Sequence, residues 1–69
     1  MYEDIKKDLA LQHPDAYHVD IIRVDDCGDN LKITAEVKTP TTYLVYEYVI
    51  DKNSMKIIEK KLLYAIPML

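Results

Sequence analysis

The sequence has no phenylalanine and no tryptophan, and it has one cysteine and one glycine among its 69 residues. The lone cysteine, Cys27, excludes an intramolecular disulfide and fits a protein that folds in a reducing compartment. No apolar run approaches the roughly 20 residues that a membrane-spanning helix needs. The charged N-terminal segment lacks the apolar stretch of a signal peptide. We therefore expect an intracellular, cytoplasmic protein.

The chain also lacks an excess of positive charge, since its net charge is −3. Residues 1–30 contain eight acidic and three basic residues, whereas residues 31–69 contain four acidic and six basic residues. A nucleic-acid-binding surface would need to be basic, so we expect no nucleic acid as a partner. The uneven charge instead leaves open a dipolar surface that attracts a charged protein partner.

The hydrophobic pattern predicts one helix followed by four strands. Residues 2–12 have apolar positions at helical spacing, and Pro14 stops the helix at or before His13. From there the pattern changes to the period of two that is typical of strands. The predicted strands are residues 16–24, 31–39, 43–51 and 55–66.

The second strand has the clearest alternation in the chain. Its apolar positions are predicted to face the helix: Leu31, Ile33, Ala35 and Val37. The first strand changes phase at Ile21 and Ile22, which predicts a β-bulge or a strand buried on both faces. In the last strand, residues 58–64 also fit a helix, because lysine and leucine favour helices. We prefer the strand, because the polar turn before it is typical of a hairpin.

A run of strands after one helix predicts an α+β fold with an antiparallel β-meander. The expected architecture is one N-terminal helix packed on a four-stranded antiparallel sheet, in the order α-β-β-β-β. We expect a single small domain over residues 1–69.

Residues 42–59 (TYLVYEYVIDKNSMKIIE) resemble the last hairpin of PepSY-type domains, which has a turn of the pattern D-x-x-[ST]-G between two strands. The triplet at 46–48, Asp51 and Ser54 match, whereas Met55 stands where the family usually has glycine. PepSY-type domains also have a helix before the sheet. They are usually exported or attached to membranes, which this sequence does not indicate. The resemblance implies the hairpin geometry and no function.

Four potential metal ligands lie within eight residues: His13, Asp15, His18 and Asp20. Imidazole and carboxylate groups bind zinc-like ions, and His18 and Asp20 share one face of the predicted strand. Pro14 separates His13 from the others, and the spacing matches no known metal motif. A solvated loop and an outward strand face explain the same residues, so we expect no metal and no cofactor.

The loop after the first strand is rich in aspartate and contains Cys27. Its oxygen-bearing side chains belong to Asp25, Asp26, Asp29 and Asn30. They lack the spacing of a calcium-binding EF-hand loop and fit an ordinary turn. Negative neighbours raise the pKa of a thiol and suppress the thiolate, which argues against a nucleophilic Cys27. No other catalytic arrangement is present, so we expect no enzyme activity.

Tyrosine supplies all of the aromatic side chains, and most of them lie in the last two strands. Tyrosine is common at protein interfaces, but these tyrosines also fit a core that lacks phenylalanine and tryptophan. The residues predicted for an interaction surface are Leu44, Tyr46, Tyr48, Ile50 and Tyr64. A second apolar set in the last strand consists of Ile58, Leu62, Tyr64 and Ile66. One short helix cannot cover both sets, which predicts an exposed apolar patch.

Together these observations favour a small protein-binding module without catalytic activity. We expect an adaptor or inhibitor, of the kind found in phages and mobile elements, that acts through its tyrosine-rich sheet surface. We also expect a homodimer that forms through the third and fourth strands. The alternative is a small-ligand or metal-dependent activity in a concave sheet pocket, using His18, Asp20 and Glu47.

Overall fold

A computed structural model describes residues 2–68, which form one α-helix and four β-strands. The helix α1 spans Glu3–Gln12, and the strands are β1 (His18–Cys27), β2 (Asn30–Lys38), β3 (Thr42–Asp51) and β4 (Ile57–Pro67). The strands form one antiparallel sheet in the order β1-β2-β3-β4. The predicted α-β-β-β-β architecture is confirmed, and residues 58–64 are strand. Of the domain predicted for residues 1–69, residues 1 and 69 lie outside the described part.

Helix α1 packs on the sheet through a narrow apolar stripe. Ile5 and Leu9 lie about one turn apart and are both buried against the sheet. Leu11, the other leucine of the helix, is 83% exposed. The helix ends where the backbone N–H of His13 donates to the carbonyl of Leu9, and Pro14 follows immediately. A ten-residue helix with two buried apolar positions depends on the sheet for its stability.

The face of the sheet that α1 covers contains alternate residues of β2 and β3. As predicted, Ile33, Ala35 and Val37 lie in the core, with Leu31 packed at its edge. Their antiparallel partners on β3 point to the same side of the sheet. These core partners are Leu44, Tyr46, Tyr48 and Ile50. We call the opposite side of the sheet the open face.

Three irregularities change which side chains share a face. The register of β1 with β2 shifts between Ile21 and Arg23, which confirms the β-bulge predicted there. The pairing of β3 with β4 shifts twice, between Val45 and Tyr46 and between Val49 and Ile50. Each shift reverses the alternation of one strand relative to its neighbour.

Two different turns close the outer hairpins. The β1–β2 turn has two residues, and Gly28 adopts a φ of 82°, which glycine does without steric cost. In the β3–β4 turn, the carboxylate of Asp51 accepts hydrogen bonds from the backbone N–H groups of Asn53 and Ser54. Met55 ends this turn with a φ of 60°. The turns thereby fix where β2 and β4 begin.

Candidate functional site

Strand β4 is the most exposed strand of the sheet. Every one of its residues is exposed, whereas β3 beside it is largely buried. Its large apolar side chains keep 40–57% of their surface exposed: Ile57, Ile58, Leu62, Leu63, Tyr64 and Ile66. We call these six side chains the β4 surface.

The position of α1 explains why β4 is left uncovered. The buried residues of the helix pack against side chains of β2 and β3. On β4, Lys60 reaches the helix, where its ammonium group lies 2.8 Å from the carboxylate of Asp8 and also donates to Gln12. The same ammonium lies 5.7 Å from the ring centres of Tyr46 and Tyr48. Lys60 therefore joins β4 to the helix over the rings of Tyr46 and Tyr48, while the large apolar side chains of β4 stay exposed.

The β4 surface extends over both sides of the sheet. Leu62 pairs with Tyr46 and so lies on the helix side. Tyr64 pairs with Val45 and Ile66 pairs with Tyr43, so these residues lie on the open face. The predicted single face of Ile58, Leu62, Tyr64 and Ile66 is therefore wrong, because the register shifts divide it. Its exposure, however, is as predicted.

Four of the five residues predicted for an interaction surface belong to the core. Tyr48 is completely buried, Ile50 is 2% exposed, and Leu44 and Tyr46 are each 8% exposed. They cannot form the exposed surface that the sequence predicted, because α1 covers their side of β3. Tyr64 is the exception, at 49% exposure.

The core tyrosines bind a side chain of the helix and that of the residue after it through their hydroxyl groups. The Tyr48 hydroxyl donates to the carboxylate of Asp8, and the Tyr46 hydroxyl lies 2.8 Å from Nε2 of His13. The hydrogen bonds from Lys60 and then Tyr48 lower the pKa of Asp8 below its usual value. Burial, with the neighbouring Asp8 carboxylate, raises the pKa of Tyr48. These groups thus hold the helix on the sheet.

A second cluster of polar side chains lies on the open face. His18 Nε2 is 2.9 Å from Oε2 of Glu36, and the Tyr43 hydroxyl donates to Oε1 of Glu36 at 2.9 Å. The hydrogen bond from Tyr43, followed by that from His18, lowers the pKa of Glu36, while the same carboxylate raises the pKa of Tyr43. Asp20 pairs directly with Glu36 across the strands.

The sequence placed His18 and Asp20 on a common face but did not assign Glu36 to their cluster. Glu36 belongs to the outward set of β2, yet only the register of β1 with β2 shows that it lies opposite Asp20. Among residues 2–68, His18, Asp20 and Glu36 are the one group of three potential ligands close enough to share a metal ion. His13 instead contacts Tyr46.

Glu47 does not join this cluster. It pairs with Thr34 and Lys61 in the sheet, and its carboxylate lies 3.9 Å from the ammonium group of Lys61. A cavity of about 210 Å³ lies instead between residues 2–5, at the start of the helix, and Ile50, Met55 and Ile57. The structure therefore does not bring Glu47, His18 and Asp20 into a common pocket.

The carboxylates of the aspartate-rich loop are held by local partners. Asp26 accepts from the backbone N–H of Gly28 and from Lys52, whose hydrogen bond is the main cause of its lowered pKa. Asp25 forms an ion pair with Arg23. Cys27 is exposed, and its thiol lies 3.9 Å from the carbonyl oxygen of Asp25. The arrangement is that of a hairpin turn.

The comparisons with known proteins identify a fold and no family. No protein-family model and no curated protein match the chain. The structure is similar to the crystal structure of a de novo designed β-sheet protein with a cystatin fold, with a TM-score of 0.63 and 14% sequence identity. The match covers 94% of this chain and 80% of the designed one. In residues 2–68, no helix is long and apolar enough to cross a membrane.

Proposed function

We propose that the chain is a small protein-binding module without catalytic activity, and that its binding surface is strand β4. The observation that carries the proposal is the exposure of all eleven residues of β4, six of them large and apolar. Apolar patches of this kind mark surfaces that another protein covers. A cytoplasmic adaptor or inhibitor would need no more than such a surface.

The position of β4 in the sheet favours an extended protein segment as the partner. β4 is an edge strand, because its one neighbour in the sheet is β3. A strand added alongside β4 would form backbone hydrogen bonds with its outer edge. Since the β4 surface has side chains on both sides of the sheet, the added strand would also gain apolar contacts on both sides.

A second copy of the chain is the partner that we propose for the isolated protein. Two β4 strands related by a two-fold axis would present the same apolar side chains to each other. Lys60 and Lys61 lie in the middle of β4, and their positive charges should not prevent this pairing, because both are balanced. Lys60 is paired with Asp8, and Lys61 with Glu47, within the same chain.

Sedimentation velocity of the wild type and of Leu62→Lys tests the proposal. We expect the wild type to form a dimer at high concentration, and Leu62→Lys to remain a monomer, because it places a charge in the apolar interface. Leu11→Lys is the matched control, since Leu11 is exposed on the helix and lies outside the β4 surface. This control should dimerise like the wild type.

Hydrogen–deuterium exchange at low and high protein concentration identifies the strand that is covered. We expect the amides of β4 to exchange more slowly at high concentration, and those of the opposite edge strand β1 to be unchanged. A monomer at every concentration, with unchanged exchange in β4, would refute the dimer. Slowed exchange in β1 alone would show that the wrong edge has been assigned.

A further inference from the structure

The open face of the sheet brings three metal-binding side chains together at one end of β1. His18 and Asp20 are two residues apart on this strand and therefore point to the same side. The β1–β2 register places Asp20 directly opposite Glu36. The ligand atoms of His18, Asp20 and Glu36 all lie within 4.8 Å of one another. Such distances allow a single ion to contact all three.

The electrostatics of this pair of strands favour a bound cation. Carboxylates that lie directly opposite each other on neighbouring strands repel. Lys6 reaches Asp20 from the helix, but its ammonium group is 4.0 Å away and both side chains are well exposed. The hydrogen bonds from Tyr43 and His18, with the nearby charge of Lys38, stabilise Glu36 as a carboxylate, the form in which it would bind a cation.

The side chains around Glu36 orient it for this role. The Tyr43 hydroxyl binds Oε1, which directs Oε2 toward Nε2 of His18. The Glu36 side chain is 16% exposed, whereas those of His18 and Asp20 are 38% and 52% exposed. One carboxylate is thus fixed by an outer hydrogen bond, as is common for metal ligands, and the site stays open to solvent.

The combination of ligands indicates which ions fit. One imidazole nitrogen and two carboxylate oxygens suit zinc and neighbouring divalent transition metals, whereas calcium and magnesium prefer oxygen ligands throughout. An ion between His18 and Glu36 would replace their hydrogen bond with two metal–ligand bonds. Three ligands from the protein would leave a coordination position for water.

We propose that His18, Asp20 and Glu36 form a binding site for a divalent transition-metal ion of the zinc class. Its three ligands lie on β1 and β2, which β3 separates from the β4 surface. Tyr43 lies on β3 between the two, and its ring also contacts that of Tyr64. Tyr43 is its positioning residue, acting through Glu36.

Titration with zinc chloride, followed by calorimetry and by NMR of the histidine rings, tests this site. The full chain is used with Cys27→Ser, which removes the exposed thiol as a competing ligand. The chain has two histidines, so each ring can be followed separately. We expect zinc to shift the ring resonances of His18 and to leave those of His13, which binds Tyr46, unchanged.

Substitutions separate ligands from positioning residues. His18→Gln and Asp20→Asn should each weaken zinc binding by more than about 10-fold, and Tyr43→Phe by about 10-fold, as expected for an outer partner. Glu47→Gln is the control, because it removes a carboxylate from the same face outside the site. Circular dichroism confirms that each variant folds.

Three results would overturn the proposal. The first is an absence of heat and of ring shifts at millimolar zinc. The second is undiminished binding in both His18→Gln and Asp20→Asn. The third is an equal response of His13, which would indicate nonspecific binding.

Discussion

At the scale of single residues, Asp8 links the helix to the buried hydroxyl of Tyr48 and to Lys60. Its pKa is lower in the folded protein than its usual 3.8, so the folded state binds this proton less readily than the unfolded state. The stabilisation is therefore complete above the usual pKa, and it is lost as the pH falls through the folded pKa. Asp8 makes the protein more sensitive to acid.

We predict that Asp8→Asn lowers the free energy of unfolding at neutral pH and has little effect in strong acid. The loss should be at most about 1 kcal/mol at neutral pH, because the Asp8–Lys60 pair is partly exposed. Urea unfolding at neutral and acidic pH measures this difference. Asp15→Asn, in an exposed loop, controls for the loss of a negative charge; an equal effect of both substitutions at every pH would contradict the assignment.

Residue type alone could not predict the role of Tyr48. The sequence did not decide whether its side chain lies in the core or at an interface, because tyrosine suits both environments. What decides is the carboxylate of Asp8, 40 residues earlier in the chain, which binds the hydroxyl and makes its burial possible. No local pattern carries information about a partner at this separation.

At the scale of the elements, the β3–β4 turn contains a strained residue. Met55 has a φ of 60°. This is the left-handed region, which disfavours residues other than glycine by about 1–2 kcal/mol. Met55 lies between the two backbone hydrogen bonds that close the turn, in which Asp51 accepts from the N–H of Met55 and donates to the carbonyl of Lys56. It is also the position at which PepSY-type hairpins usually have glycine; that resemblance stays a prediction.

We predict that Met55→Gly is more stable than Met55→Ala by about 1 kcal/mol. Both variants lose the methionine side chain, which is 46% exposed, but only glycine relieves the strain. Comparing these two variants separates the backbone effect from the lost contacts. Denaturant unfolding measures the difference, and equal stabilities would show that the turn adapts to a side chain at this position.

The contrast between β2 and β3 shows what alternation can predict. β2 has apolar residues on one side and charged or hydroxyl side chains on the other, so its core face was predicted correctly. β3 is largely apolar on both sides, with Tyr43, Val45 and Val49 opposite the core residues. Its sequence therefore did not show which side α1 covers, and the β3 residues predicted for an interaction surface lie on the covered side.

Register explains why the remaining features of the site were not predicted. The sequence indicated a turn over residues 25–30, whereas β1 continues to Cys27 and β2 begins at Asn30. The longer hairpin, with its bulge after Ile21, determines that Asp20 meets Glu36. Hydrogen bonding between strands fixes which residues lie opposite each other, and the alternation within one strand does not reveal these pairs.

At the scale of the whole molecule, a four-stranded sheet with one short helix buries only part of its apolar surface. Ile5 and Leu9 are the buried residues of α1, and they cover the centre of one face. The β4 side of the sheet remains exposed on both faces. Since small domains have little stability to spare, covering β4 should raise the stability of the fold as a whole.

We predict that the melting temperature rises with protein concentration. If the folded dimer dissociates as it unfolds, mass action stabilises it, and a tenfold increase in concentration should raise Tm by about 3–5 °C for chains of this size. Leu62→Lys should remove this dependence and lower Tm at high concentration toward the value of the monomer. Leu11→Lys should keep the dependence, because Leu11 lies outside the β4 surface.

Melting curves recorded by calorimetry or circular dichroism at about 5 µM and about 500 µM measure this rise in Tm. The two concentrations differ enough for the effect of mass action to be visible. A Tm that is the same at both concentrations would mean that the isolated chain unfolds as a monomer. The β4 surface would then be free for another protein, and an extended segment of that protein would take the place of the second copy. A concentration dependence that persists in Leu62→Lys would instead show that the chains associate through a surface other than β4.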